Sequence, residues 1–293
     1  MTMNKINEII LGHNSFYGIN HLDSEIGKKK LINQFDSDKK IIDLLKFANE
    51  NNLKNLMIST VEESQSLIEK INKDPELKND LNFFVLLPYI NKYVRKTNEL
   101  GIMGTLKEII LNQNIKKNLR AGLDFINFVS TSDYKAIVSN LIDFELRHFM
   151  KNNIKCVILH DSLTDILVAL NRLDIIEYYN EYIKKKFGCL VGFATKNLFH
   201  FNKLTENAKL DDIYILTHVN KIGFEMNPSQ KIIEETIANT KHKIICMSVL
   251  ASGYLKMEEG IDYIKNLDNK NLSTVIGCSS SKHISEYINI STR

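Results

Sequence analysis

The chain has 293 residues, of which 44% are hydrophobic and 25% charged, and its formal net charge is +3. That balance suits a globular protein with one sizeable core, and it speaks against a nucleic-acid binder. The basic runs Lys28-Lys29-Lys30 and Lys184-Lys185-Lys186 carry no interleaved aromatics. No apolar run reaches the roughly 18 residues a bilayer requires, and Met1 to Lys5 lead into no signal-peptide core, so a cytoplasmic protein without membrane or nucleic-acid partners is expected.

In chain order, short Ile/Val/Leu/Phe-rich runs alternate with amphipathic stretches. Residues 8–13 read as the first strand and run into His13, Asn14, Ser15, Phe16, Tyr17, Gly18, Ile19, Asn20 and His21, a loop with more donors than a structural connection needs. A helix is expected over 38–50. Strands follow at 55–60, ending in Ser59-Thr60, and at 82–89, ending in Pro88-Tyr89. Residues 91–155 read as an insertion, with 124–131 as a candidate accessory strand. The run 156–161 brings His160 and Asp161 to a strand end, and a helix is expected over 164–185. Strands follow at 189–195, closing in Thr195-Lys196, and at 221–227, closing in Glu225 and Asn227. A helix over 230–239 and strands at 243–250 and 273–278 complete the chain. The last strand opens onto Gly277-Cys278-Ser279-Ser280-Ser281-Lys282.

Nearly continuous apolar character is what parallel strands buried on both faces show. Eight of them joined by helices predict a (β/α)₈ barrel, and with three prolines and no linker the whole of 1–293 reads as one domain. An open doubly wound sheet is the alternative, but no GxGxxG loop follows the first strand. The four cysteines lack CxxC spacing and sit in apolar runs, which predicts buried thiols.

In such a barrel the loops at the C-terminal strand ends build the site. His13, Tyr17, His160 and Glu225 are the candidate catalytic groups. Asn14, Asn20, His21, Tyr89, Lys196 and Asn227 are candidate substrate contacts. Gly277, Ser279, Ser280 and Lys282 open a helix, where backbone N–H groups, hydroxyls and a lysine suit a phosphate. His13, His160 and Glu225 form no HxH or HExxH, so no metal is expected, and no GxSxG elbow marks a hydrolase.

The C-terminal third resembles the aldo-keto reductase superfamily. Residues 191–195 are similar to its G-V-S-N strand, 224–228 to its strand ending in Y-N-P, 245–253 to Y-S-P-L-x-x-G, and 276–280 with Glu286 to the segment that holds the adenosine phosphate of NADP. Residues 158–161 are similar to the strand of the catalytic histidine. The resemblance implies NADP as cofactor, with Gly277, Ser279, Ser280, Lys282 and Glu286 around its phosphate. It also exposes departures. The family's catalytic Asp, Tyr and Lys fall on Ser59, Ser64 and Pro88, leaving only His160. On the nicotinamide side, its Ser-Asn pair becomes Ala194-Thr195, a glutamine becomes Gly223 and a stacking tyrosine becomes Met247. The adenosine-side asparagine becomes Tyr287.

Three readings follow. The first is an enzyme that uses His-assisted acid/base chemistry on a sugar or a phosphorylated or carbonyl metabolite. The second is an NADP(H)-linked oxidoreductase with a rebuilt site around His160 and Tyr17 or Tyr89. The third is a non-catalytic ligand-binding barrel. Neither the substrate nor the oligomeric state follows from the sequence.

Overall fold

A strand buried on both faces has no polar side of its own, so its apolar run must be covered by the barrel interior on one face and by helices on the other. In the computed structural model, which describes residues 6–17, 38–88 and 134–291, this happens at β1 (Ile9–Gly12), β2 (Asn55–Ser59), β3 (Asn82–Leu87), β4 (Asn153–Leu159), β5 (Leu190–Ala194), β6 (Ile213–His218), β7 (Lys243–Met247) and β8 (Leu272–Gly277). The strands are parallel and close in sequence order, with β8 pairing back onto β1 from Ile9↔Thr274 to Gly12↔Gly277. The described residues form one closed (β/α)₈ barrel. None of its helices is long and apolar enough to cross a membrane.

Side chains alternate between the two faces of each strand. One set fills the barrel: Ile10, Met57, Phe84, Cys156, Ile158, Ala194, Tyr214, Leu216 and Ile245 form an interior cluster. The other set, including Leu11, Leu56, Phe83, Val157, Phe193 and Ile215, packs outward onto the helices. Those helices are α1 (Asp38–Glu50), α2 (Glu62–Lys73), α3 (Pro75–Asp80), α4 (Tyr134–Leu146), α5 (Asp161–Ala169), α6 (Leu173–Phe187), α7 (Leu198–Thr205), α8 (Gln230–Asn239), α9 (Met257–Lys265) and α10 (Ser281–Ser291). All four cysteines are free thiols, three of them buried and Cys189 half-buried.

Three expectations are corrected. The sixth strand is not 221–227 but Ile213–His218, every residue of which is buried. Residues 221–227 form a turn instead, because Gly223 (φ 72°) and Glu225 (φ 57°) adopt left-handed backbone that no strand accommodates. The helix expected over 164–185 is two helices, α5 and α6, parted at Leu170 to Arg172, where Asn171 reverses the chain at φ 54°. The supposed insertion ends earlier than residue 155. From Tyr134 onward the chain is the ordinary crossover helix α4 and the start of β4. The accessory strand expected at 124–131 lies outside the described residues.

The floor of the barrel is polar. Between Phe83 and Phe84 the β3–β4 register skips Lys155, a bulge on β4. Lys155 Nζ reaches Glu8 Oε2 at 3.0 Å, and the Tyr214 hydroxyl donates to Glu8 Oε1 at 2.7 Å. Strands β4 and β6 are thereby tied to the residue just before β1.

Tight packing outside the barrel fixes α9. A Cβ on Gly260 would lie 2.8 Å from the Val249 carbonyl oxygen and 2.9 Å from Leu250 Cδ2. Glycine to alanine in a helix interior ordinarily stabilises by roughly 0.5–1 kcal/mol. Here the sign reverses, since a backbone carbonyl cannot step aside. G260A is expected to lower stability by about 1–3 kcal/mol, read as a fall in the urea midpoint at unchanged slope. A gain in stability would show that α9 is not seated against the β7 loop.

Candidate functional site

The in–out alternation that turns Ile158 and Leu216 into the barrel places His160 and His218 on the same inward register two residues later, at the mouth. Each histidine ends a buried run that has nowhere else to present a polar group.

His160 caps the N-terminus of α5, and its Nδ1 lies 2.7 Å from Asp161 Oδ1. A nitrogen that close to a carboxylate oxygen carries a proton, so in the neutral ring Nε2 is the acceptor. The Ser162 N–H lies 3.3 Å from Nδ1 and 2.6 Å from Asp161 Oδ1. The carboxylate takes that hydrogen bond, because a protonated Nδ1 has no lone pair left to offer. Burial alone would raise the pKa of Asp161, but the hydrogen bond and charge of His160, the Ser162 N–H and the Lys196 ammonium outweigh it and hold the carboxyl down at about 2. The positive end of α5 favours the same ionised form.

One turn along α5, Asp165 clasps the end of β5. It accepts from the Thr195 hydroxyl at 2.5 Å and from the Lys196 N–H at 3.1 Å, and Thr195 Oγ1 in turn accepts from the Asn197 N–H at 2.9 Å. Desolvation raises the pKa of Asp165, helped by the Asp161 charge, against the opposing pull of these donors. The clasp delivers Lys196 to the mouth, where its Nζ meets Glu225 Oε1 at 3.5 Å.

Glu225 reaches that place by a turn, not at a strand end. Buried Asn220 ties the turn at both sides, accepting from the Phe224 N–H and donating to the Phe224 carbonyl, each at 2.8 Å. The folded-back Glu225 carboxylate lies 3.2 Å from His218 Nδ1, and the Ser248 hydroxyl lies 2.9 Å from the same nitrogen. A row of charged and polar groups therefore runs along the ends of β4 to β7: His160, Asp161, Lys196, Glu225, His218, Ser248. Sequence reasoning had His160, Lys196 and Glu225 as site residues and missed Asp161, His218 and Ser248, as well as the clasping Asp165. His218 was legible as the last residue of an apolar run, the same pattern that marked His160.

The other candidates lie elsewhere. His13 is buried in a short 3₁₀ turn, His13–Tyr17, where its Nε2 meets the Ser59 hydroxyl at 2.7 Å. Tyr17 packs edge-on against the His13 ring, centroids 5.6 Å apart, and its hydroxyl lies 3.4 Å from Ser64 Oγ. Asn14 is half-buried in the same turn. Asn227 is exposed and its amide donates to the Glu225 carbonyl at 3.3 Å, an interaction within the turn. Since 224–228 is a turn, the Y-N-P strand end it was matched to, and with it the place given to Gly223, is withdrawn. Asn20, His21 and Tyr89 lie outside the described residues, so the convergence expected of His13, His21 and His160 applies there only to His13 and His160. These two stand at the same end of the barrel, three strands apart.

At the β8–α10 corner the hydroxyls serve the helix itself. Ser280 Oγ accepts from the His283 N–H at 3.3 Å, and Ser279 Oγ lies 3.2 Å from His283 Nδ1. Lys282 is exposed in the first turn, Glu286 is exposed one turn on, and Gly277 ends β8 beside Ser15, whose hydroxyl donates to the Cys278 carbonyl at 3.0 Å. A crevice of about 410 Å³ lies at the opposite end of the barrel, between Ile154, Lys155, Lys184, Gly188, Cys189 and Leu190. Its lysines are committed, Lys155 to Glu8 and Lys184 to the Asp211 carbonyl at 2.6 Å.

No protein-family model and no curated protein sequence matches the chain. Among solved structures, one assigned as a 2,5-diketo-D-gluconic acid reductase B superposes with a TM-score of 0.58 at 10% identity, covering 100% of this chain and 87% of that one. At that identity the likeness concerns the fold, where it agrees with the resemblance read from the sequence.

Burial holds His13 at a pKa of about 4 against its ordinary 6.5, with hydrogen bonding to the Met57 backbone pulling weakly the other way. The unfolded chain takes up a proton below pH 6.5 that the folded chain refuses until about pH 4. The contribution is whole above pH 6.5 and is lost as pH falls towards 4, to a total of about 3 kcal/mol. Urea midpoints measured between pH 7 and 4 should fall, and H13N should flatten the part of that slope beyond what His242, similarly lowered by burial, contributes. An unchanged slope would mean His13 is not a neutral buried ring.

Proposed function

We propose that the protein is a small-molecule enzyme in which His160, oriented by Asp161, works as general base and acid on a hydroxylated substrate, a sugar or a phosphorylated or carbonyl metabolite. The observation that carries this reading is the 2.7 Å contact between His160 Nδ1 and Asp161 at the barrel mouth. A half-buried carboxylate that fixes one ring nitrogen as donor sets the other as acceptor and stabilises the imidazolium formed when it takes a proton. Lys196, joined to Glu225, supplies positive charge beside the pair for an oxygen that becomes negative during reaction.

The nicotinamide end of an NADP site fits these residues poorly. Ala194 is buried and apolar, Met247 has replaced an aromatic, and the Thr195 hydroxyl is already spent on Asp165 and Asn197. The β8–α10 corner is more compatible with a phosphate, through exposed Lys282 and the N-terminus of α10, although the Ser279 and Ser280 hydroxyls already have partners. That combination favours a phosphorylated or anionic metabolite over a dinucleotide.

One contact favours the second reading. Ser59 ends β2, Ser64 opens α2 and Pro88 follows β3, so the acidic, phenolic and cationic members of a reductase tetrad are absent from those positions. Yet the Tyr17 hydroxyl comes within 3.4 Å of Ser64 Oγ, bringing a phenol to the place of the missing one.

Incubation in D₂O with free and phosphorylated trioses, pentoses and hexoses separates the two. Wild-type protein is expected to exchange a carbon-bound hydrogen next to the carbonyl, followed by NMR, and H160Q to lose that exchange by about 100-fold or more. Failure of wild type to exchange, together with saturable NADPH binding and carbonyl reduction that Y17F abolishes, would replace this reading with the oxidoreductase one.

A further inference from the structure

Glu225 and Ser248 share an unusual property. Both are non-glycine residues in left-handed backbone, at φ 57° and 55°, and both meet the same buried nitrogen, His218 Nδ1, at 3.2 and 2.9 Å. Such conformations cost of order 1–3 kcal/mol each and persist where the surroundings over-determine them. They occur here on two different loops that converge on one side chain. His218 itself is almost wholly enclosed, its side chain 7% exposed, whereas Glu225 is 33% and Lys196 49% exposed. The histidine stands behind and the carboxylate stands in front, whereas His160 and Asp161 are about equally enclosed, at 22% and 16% exposed. Lys196 links the two, touching Glu225 and lying within the field of Asp161.

From this placement we infer that Glu225 is a second proton-transfer group in the same site as His160, that His218 and Ser248 are its positioning residues, and that the reaction is a 1,2-proton shift interconverting α-hydroxy aldehydes and ketones. The inference rests on the His160 reading above. His160 Nε2 takes the hydrogen from the carbon bearing the hydroxyl, and the released electron pair forms the carbon–carbon double bond of an enediolate. The former carbonyl oxygen becomes an anion beside the Lys196 ammonium. The Glu225 carboxylate takes the proton of the neighbouring hydroxyl and returns one to the oxyanion, while His160 gives its proton to the former carbonyl carbon. Every proton removed is returned and no oxidant or reductant is consumed, so the product is an isomer of the substrate. An ammonium paired with Glu225 has no lone pair with which to attack a carbonyl, so Lys196 acts by charge and not as a Schiff base.

The sugars named above serve as probes for E225Q, H218L and H218N, with carbon-bound hydrogen exchange and net aldose–ketose conversion measured side by side. In H218N the side-chain amide stands where Nδ1 stood and keeps a donor to Glu225. E225Q and H218L are expected to lose about 100-fold in conversion while exchange stays within about tenfold of wild type, and H218N to recover conversion to within about tenfold. A merely structural His218 would lower exchange and conversion together, and H218N would fare no better than H218L; that pattern overturns the proposal. So does an E225Q variant that converts as wild type does. If H218L does not fold, E225Q decides alone. A wild type without exchange removes the His160 reading and this proposal together, whereas wild-type exchange with conversion indifferent to E225Q removes only the latter.

Discussion

Everything at the mouth depends on the in–out alternation of a closed parallel sheet. Once β8 pairs with β1, no strand can slip by one residue without turning its whole interior face outward. Phe84, Ile158, Tyr214, Leu216 and Ile245 jointly pin that register through contacts inside the barrel. The two histidines at the mouth are therefore held by apolar packing well below them. Their aim is a consequence of the interior cluster, not of the loops that carry most of the polar groups.

Upon that scaffold the charges are arranged so that few are isolated. Asp161 is kept ionised by His160, Lys196 sits between two carboxylates, and Glu225 is shared by a lysine and a histidine. A site of this kind resists the collapse that burial would otherwise impose on single charges. It also couples its members, so that removing one shifts the protonation of the next. The contrast with His13 is instructive. That ring is similarly polar in sequence but lies under Ser59 and Tyr17, where desolvation strips it of charge.

The barrel was legible because its strands are short apolar runs largely buried on both faces, and seven of the eight were placed from that pattern. The exception is the sixth strand. Residues 213–218, Ile213-Tyr214-Ile215-Leu216-Thr217-His218, form the more apolar run, whereas residues 221–227 carry Lys221, Gly223, Glu225 and Asn227 among their apolar residues. The left-handed backbone at Gly223 and Glu225 is what makes 221–227 a turn. His160 and Lys196 could be named from the sequence because they end or follow apolar runs, whereas Glu225 was named as the close of 221–227, which is a turn and not a strand. That Glu225 folds back on His218 through the Asn220 clasp depends on hydrogen bonds within a turn, which spacing does not encode. The departures at Ser59, Ser64 and Pro88 were visible only against a family pattern; in the structure Ser59 ends β2, Ser64 lies in the first turn of α2 and Pro88 follows β3.

The bulge at Lys155 bears on traffic through the molecule. With Lys155, Glu8 and Tyr214 locked across the floor and the apolar layer of Phe84, Ile158 and Leu216 above it, the barrel formed by the described residues is closed at that end and open at the mouth. Whatever enters to meet His160 must leave over the same rim. On the proposed reading, substrate and product would share that one rim, so a product that lingers would exclude the next substrate.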